Sequence, residues 1–404
     1  MLLIRRDPTG IVGFAPPDPF QPFRLNFASD FTLYSVELQQ VWETEKWSLI
    51  AGGRLQAGDI NTRAQLAQQP LAVGFQVFSN SQNIASHLDR GDIYGYGSWQ
   101  VFEPLRLVAG VSYDHISFPE NTDLPPLSGE RTSRDLVSPK AGLLFAPWNR
   151  GLLRASYTRS LGGLFFDNSV RLEPTQVGGF NQAFRSLIPE SVKGLVPGTE
   201  FETAGVGFDQ SFSSGTWFGV EGEWLTSHGT RTAGAITNSL PIGFIPDSPS
   251  GTQDVLDFRE RDLSAYAAQL LGDCFSVSAR YRLSEATLNE RFPEVPITGG
   301  GSLHNRATLH QVSLAANFNH PCGLFAQWES DWYLQSNSGY QPALASTDFW
   351  QHNIYVGYRF PRRYAELRLG VLNVLGQDYR LNPLNFYAEL PRQRTFTASL
   401  RLNF

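Results

Sequence analysis

The chain has 404 residues, a formal net charge of -6, 41% hydrophobic and 13% aromatic side chains. No run of about eighteen apolar residues occurs, which excludes a membrane-crossing helix but leaves a strand-crossed membrane open, because barrel strands dilute their hydropathy by alternating faces. The acidic balance without a basic stripe argues against nucleic acid, and two cysteines are too few for a disulfide scaffold.

The first residues, Met1 to Pro8, carry neither an apolar core of adequate length nor a small-residue cleavage site. A secreted barrel needs both, so the expectation is a trimmed chain or a gene that has lost an upstream part. Residues 1–30 contain several prolines and read as a remnant strand or a loop. From residue 31 to 404 the pattern is strand, short turn, strand, long connection. The first clear strand is Phe31–Glu43, closed by the turn Thr44–Lys46. Further along, Leu105, Leu107, Ala109, Val111 and Tyr113 alternate with Arg106, Gly110, Ser112 and Asp114. Phe275, Val277, Ala279, Tyr281 and Leu283 oppose Ser276, Ser278, Arg280, Arg282 and Ser284. Ile354, Val356, Tyr358 and Phe360 oppose Asn353, Gly357 and Arg359, and the chain ends on Phe396, Ala398, Leu400, Leu402 and Phe404 against Thr397, Ser399, Arg401 and Asn403. A period of two places each set on one face of a strand.

Short turns follow at Glu103–Pro104, Pro147–Arg150, Ser213–Gly215, Gly272–Asp273, Asn319–Gly323 and Pro361–Arg363, rich in residues that tolerate turn geometry. The long connections fall near 58–90, 119–135, 163–199, 230–256, 287–305, 337–347 and 376–391. Short turns at one end and long loops at the other are the asymmetry of outer-membrane barrels, with the long loops extracellular. The expected fold is all-β: a transmembrane antiparallel up-and-down β-barrel of about fifteen or sixteen strands. A soluble sandwich fits worse, because its outward face is polar, whereas here an apolar face continues through nearly every strand. Cys274 and Cys322 each sit beside a short turn, so a bond between them is open in an oxidising compartment.

Catalytic chemistry is not signalled. No His-Glu-x-x-His helix, Cys-x-x-Cys pair or Gly-x-Ser-x-Gly elbow occurs. Asp114 and His115 are adjacent on a strand and therefore point to opposite faces, so they make no dyad. Gly299, Gly300, Gly301 and Ser302 read as flexible loop. No cofactor and no metal site is expected. The candidate functional residues are the charged ones on the lumen side: Arg154, Glu221, Glu223, Arg280, Arg282, Arg359, Glu366, Arg368 and Arg401, lining a charged passage. For any one of them, contact with water or a plug is the simpler explanation. Trp224 and Tyr281 read as lipid-interface anchors.

Two stretches carry a family resemblance. The C-terminal run Leu369, Gly370, Val371, Leu372, Asn373, then Asp378 and Tyr379, followed by Leu390, Pro391, Arg392, Arg394 and Phe396 and by Leu400 to Phe404, resembles the ending of TonB-dependent receptors. Val374, Leu375 and Gly376 depart from that family's usual Leu-Phe-Asp, and Gln393 follows Arg392. Ser138, Pro139, Lys140 and Gly142, then Leu153 to Ser160, then Leu172, Glu173 and Pro174, then Phe201 and Glu202, resemble its mid-barrel motifs in order. The resemblance implies residence in the outer membrane of a Gram-negative-type bacterium. It also implies contact with membrane lipid, and an assembly signal at Phe396 and Phe404 read by the barrel-insertion machinery. It further implies uptake of a scarce solute, a chelated metal or a glycan, through a plug-gated lumen with TonB as partner. Neither a plug nor a TonB-box segment is seen ahead of the barrel, so the chain is expected to be either part of a barrel of about twenty-two strands or a plugless relative. The alternative function is a passive porin or a polysaccharide-export barrel.

Overall fold

The computed structural model describes residues 4–6, 12–14, 23–68, 79–162, 171–182, 196–237, 248–294, 302–340, 343–378 and 393–402. Its strands are β1 (Ile4–Arg6), β2 (Val12–Phe14), β3 (Phe23–Glu43), β4 (Trp47–Gln68), β5 (Ser79–Phe102), β6 (Leu105–Asn121), β7 (Ser128–Phe145) and β8 (Gly151–Leu161). Two very short strands follow, β9 (Gln176–Val177) and β10 (Phe180–Asn181). Then come β11 (Glu200–Ser211), β12 (Thr216–Thr237), β13 (Ser248–Leu271), β14 (Phe275–Arg291), β15 (Ser302–Asn319), β16 (Leu324–Ser338), β17 (Thr347–Arg359), β18 (Ala365–Leu372) and β19 (Thr395–Leu402). Seventeen strands form one sheet, and β9 with β10 form a separate hairpin.

From β3 to β8 and from β11 to β19 each strand pairs antiparallel with the next, and β8 pairs with β11. This is the up-and-down β-barrel architecture, with fifteen long strands. β1 and β2 pair with each other, and β1 also runs parallel to the end of β12. All seven short turns lie where residue chemistry placed them, between β3 and β4, β5 and β6, β7 and β8, and on to β17 and β18. Arg150, Gly215, Gly272, Gly323 and Arg362 take positive φ there. Cys274 and Cys322 are both free thiols in neighbouring turns.

The strands at the long-loop end run further than the sequence pattern indicates. β3 begins at Phe23, eight residues before the expected Phe31, and the connection expected near 58–90 narrows to the gap between Gln68 and Ser79. β12 and β13 likewise extend into the expected 230–256 loop. The reason is physical. A crossing takes about ten residues, and beyond the bilayer no lipid rewards an apolar outward face. Pairing therefore continues while the alternation that reveals it fades.

The outward face carries the membrane signature. On β12, Phe218 and Trp224 point outward six residues apart, roughly 20 Å along the strand, with Val220 between them. Phe218 belongs to a contact chain at the short-turn end, Trp148 to Phe208 to Phe218 to Phe212. Trp224, Tyr157, Tyr281, Trp332 and Trp350 form the other level, with Trp332 and Trp350 centroids 6.5 Å apart. Between these aromatic levels lie Val206, Leu263, Val277, Ile354 and Val356, all substantially exposed. Exposure of this much apolar surface is stable only against lipid. Ile354 is exposed midway between Tyr358 and Trp350 on β17. Ile354→Arg is expected to destabilise the barrel in vesicles by about 2–4 kcal/mol. Ser278 is exposed on the opposite face between Ala268 and Ala315. Ser278→Arg is expected to change stability by less than about 0.5 kcal/mol. Urea unfolding of both variants in lipid vesicles measures the difference, and equal costs would contradict the assignment of faces.

Candidate functional site

The inner face of the sheet is read from the cross-strand register. One row passes through Arg154, Gly207, Glu221, Ser264, Arg282, Gln311 and Tyr333 on seven consecutive strands. The next row passes through Ser156, Gly205, Glu223, Asp262, Ser284, Leu309 and Gln335. Opposed residues on one face stand within side-chain reach, so the rows become hydrogen-bonded networks. Arg154 Nε donates to Asp209 (2.6 Å) and Nη2 to Glu221 (3.3 Å). Glu221 also accepts the Ser264 hydroxyl (3.1 Å), and Asp209 accepts the Tyr266 hydroxyl (2.9 Å). Glu223 sits one row on, opposite Asp262, which accepts the Ser284 hydroxyl and lies 3.9 Å from Arg282 Nε.

The remaining sequence candidates fall around this wall. The Arg280 guanidinium lies 5.8 Å from the Tyr266 ring and that of Arg368 3.8 Å from the Tyr355 ring. Arg368 also donates to Gln327 (3.2 Å). Arg359 pairs with Glu366 (2.8 Å) and donates to Asn319 (2.6 Å) near the short-turn rim, where Arg401 stands opposite Glu366 in register. The structure thus brings Arg154 to Glu221 and Arg359 to Glu366. It leaves Arg280 and Arg368 stacked on tyrosines. Of the two aromatic residues expected to form an assembly signal, Phe396 is outward and exposed on β19, and Phe404 lies outside the described residues. Among the described residues no group of three or more His, Cys, Asp or Glu is placed to hold a metal ion.

One expectation is overturned. The connection at 163–199 is not wholly an external loop. Its residues 171–182, carrying the β9–β10 hairpin, pack against the inner face. Val177 and Phe180 are 1% and 3% exposed. The glycines of the wall make room: a Cβ on Gly142 would meet the Gly178 backbone nitrogen at 2.6 Å, and one on Gly205 would meet the Phe180 ring at 2.6 Å. Arg154 clasps the hairpin, donating to the Gly179 carbonyl (2.8 Å) with its guanidinium 4.8 Å from the Phe180 ring.

The centre of this packing is a buried ionic cluster. Glu173 accepts from Lys140 Nζ (2.7 Å), from the Tyr96 hydroxyl and from Arg171, and the Lys140 and Glu173 side chains are each about 1% exposed. Lys140 also donates to the Tyr96 hydroxyl (2.6 Å), which receives Gln182 Nε2 as well (2.9 Å). On the other side, Glu37 accepts the backbone N–H groups of Leu172 (2.8 Å) and Glu173 (3.0 Å) and the Tyr94 hydroxyl (2.9 Å), while Gln39 donates to the Leu172 carbonyl (2.6 Å). The segment is therefore tied to β3, β5, β7 and β8 at once. In the sequence Lys140 and Glu173 belong to separate motif fragments with nothing to join them, and Glu37, Tyr94, Tyr96, Arg171 and Gln182 carry no signal of their own.

Burial works to raise the Glu173 carboxyl, but Arg171 and Lys140, with the hydrogen bonds from Lys140 and Tyr96, outweigh it and hold the group at about 2, against an ordinary value of 4.5. A depressed carboxylate contributes its stability fully above the unfolded value and loses it as pH falls through the folded one. Seating of residues 171–182 is thus expected to be the same at pH 5 as at pH 7.5 and to fail only as pH falls toward about 2. Hydrogen exchange of these amides measures it. Loss of protection already at pH 5 would contradict the arrangement.

Comparison with known proteins agrees with the architecture. Residues 58–218 match the family profile described as TonB dependent receptor-like, beta-barrel. No curated protein sequence matches significantly. Among solved structures, the chain is similar to the copper transporter OprC, with 15% identity and a TM-score of 0.53, over 94% of this chain and 58% of that one. It is similar to the ferric citrate transporter FecA in its unliganded form, with 14% identity and a TM-score of 0.52, over 96% and 57%. It is also similar to the FrpB iron transporter from Neisseria meningitidis (F3-3 variant), with 11% identity and a TM-score of 0.50, over 92% and 59%. The chain spans less than two thirds of the length of each, and at these identities what they share is the fold.

Proposed function

We propose that this chain, an outer-membrane β-barrel of the TonB-dependent-receptor type, walls a gated path for uptake of a scarce solute, a chelated metal before a glycan. The observation that carries the reading is the mixed-charge inner face narrowed by the clamped segment 171–182. Arg154, Glu221, Glu223, Arg280, Arg282, Arg359, Glu366, Arg368 and Arg401 line the path. Alternating signs suit an anionic chelate with a cationic centre, because neither sign traps it. The named cargoes of the structural neighbours, copper, iron and ferric citrate, support a metal chelate over a glycan. A plug seated on this wall gates the lumen, and TonB supplies the energy through it. The chemistry is transport and needs no catalytic group. Phe396 on the last strand and the C-terminal Phe404 of the sequence address the barrel-insertion machinery.

The experiment is uptake of radiolabelled ferric and cupric chelates by cells producing the full-length gene product, with and without functional TonB. Uptake that saturates and disappears without TonB supports the reading. Uptake that persists without TonB, accompanied by steady conductance in planar bilayers, would replace it with a passive or export barrel.

A further inference from the structure

The inner wall holds a cleft between unlike charges that do not meet. The register sets Arg280 on β14 and Asp331 on β16 in one inward row, with Ser313 of β15 between them, and sets Glu329 one row nearer the short turns. Arg280 to Asp331 is two strand spacings, roughly 10 Å between Cα atoms. An arginine can close such a span, as Arg154 does in reaching Glu221 across Gly207 (3.3 Å). Arg280 instead keeps its guanidinium on the other side, 5.8 Å from the Tyr266 ring on β13. The space left above the small Ser313 and Ala315 side chains is a cleft of about 390 Å³. That size lies within the range of about 300–1,000 Å³ for small-molecule sites.

Neither side of the cleft is neutralised. Among the described residues Arg280 has neither an ion-pair nor a hydrogen-bond partner. Arg282, one row toward the long loops, has its Nε buried without an acceptor, and Asp262 lies 3.9 Å away. Across β15, Asp331 accepts the Ser313 hydroxyl (2.5 Å), and Glu329 accepts Gln327 (2.6 Å) and Asn353 (3.4 Å), all neutral donors. Among the described residues no cation stands within ion-pair distance of either carboxylate. Elsewhere on this wall the charges are matched, Arg154 with Glu221 and Arg359 with Glu366. Arg280 and Asp331 are the sequence neighbours of Tyr281 and Trp332. The cleft therefore lies at the height of the long-loop aromatic level, within reach of a solute entering from that side.

We propose that this cleft binds a zwitterionic, amino-acid-like group, its carboxylate held by Arg280 and its ammonium by Asp331 and Glu329. A guanidinium fork donates in parallel to both oxygens of a carboxylate, and an ammonium offers three donors to the facing acids. A solute of one sign satisfies one wall and is repelled by the other, so the arrangement discriminates against simple anions and simple cations alike. The inference rests on the uptake reading for its purpose: it gives the carried solute, or the chelator around a metal, an amino-acid-like end.

The test is isothermal titration calorimetry of the purified chain in detergent micelles at low salt, with unbranched amino acids from glycine to 6-aminohexanoate as probes. Each is compared with the carboxylate and the amine of the same length. The best-fitting amino acid is expected to bind at least about tenfold more tightly than either single-charge analogue. Arg280→Gln is expected to lower its affinity to that of the amine, and Glu329→Gln with Asp331→Asn to that of the carboxylate. Arg291→Gln, removing an arginine already paired with Asp257 at the long-loop end, is expected to change nothing. Heat-dependent gel mobility verifies folding of each variant, and the arginine and acid variants test the two walls independently if one of them does not fold. Amino acids that bind no better than their single-charge analogues throughout the series, or binding unchanged by Arg280→Gln, would overturn the site. Either result leaves the TonB dependence of uptake untouched, whereas uptake without TonB would overturn that reading without altering the calorimetry.

Discussion

Glu173→Gln is expected to unseat residues 171–182 from the barrel wall while leaving the strands paired. The carboxylate is the anion shared by Lys140 and Arg171 and also accepts from Tyr96. Without it Lys140 and Arg171 lie buried beside each other, and Lys140 loses its ion-pair partner. Breaking a buried pair by removing one partner costs about 3–5 kcal/mol, more than any single neutral hydrogen bond that also holds the hairpin contributes. Hydrogen-exchange protection of the segment should fall by at least about a hundredfold, and conductance of the reconstituted barrel should rise as the constriction opens. Adding Lys140→Met to Glu173→Gln removes the stranded Lys140 cation and should recover part of the loss, so the two substitutions will not add. Unchanged exchange in the Glu173 variant would mean that the cluster does not hold the segment.

Gly178→Ala should produce a comparable release by a different route. Gly178 has φ +58, and a Cβ there would stand 2.4 Å from the Ala155 carbonyl oxygen and 3.0 Å from Gly142 Cα. Left-handed strain for a non-glycine residue costs about 1 kcal/mol. The backbone clash adds about 1–3 kcal/mol of overpacking, which only retreat of the hairpin relieves. Gly272→Ala separates the two contributions: Gly272 has φ +62 in a short turn, and a Cβ added there would meet nothing within 4 Å. It should show the strain alone, about 1 kcal/mol, and leave exchange of residues 171–182 untouched. Similar effects on that segment from the two alanines would contradict the packing described.

The legibility of this protein divides by range. Strand identity is local, since period-two alternation such as Phe275 to Ser284 needs only neighbours in the chain, and the turn chemistry at Pro147–Arg150 or Gly272–Asp273 is equally local. Those features set an up-and-down barrel, and the strands and short turns of the structure follow them. Strand ends are less legible, because past the bilayer β12 and β13 keep pairing without the apolar outward face that marks a crossing.

Partnership across strands is a property of register and of what the intervening strand leaves open. Arg154 reaches Glu221 across β11, where the residue between them in the row is Gly207, with no side chain to block the path. Lys140 meets Glu173 because the chain after β8 turns back onto a wall made shallow by Gly142 and Gly205. By itself the sequence determined the strands, their faces and the membrane they suit, because a lipid outside and water inside demand alternation residue by residue. Only the tertiary structure decided which charges share a hydrogen bond and which connection folds inward, because those depend on side chains from strands far apart in the chain meeting in one low-dielectric space, where an unpaired ion is too costly to leave alone.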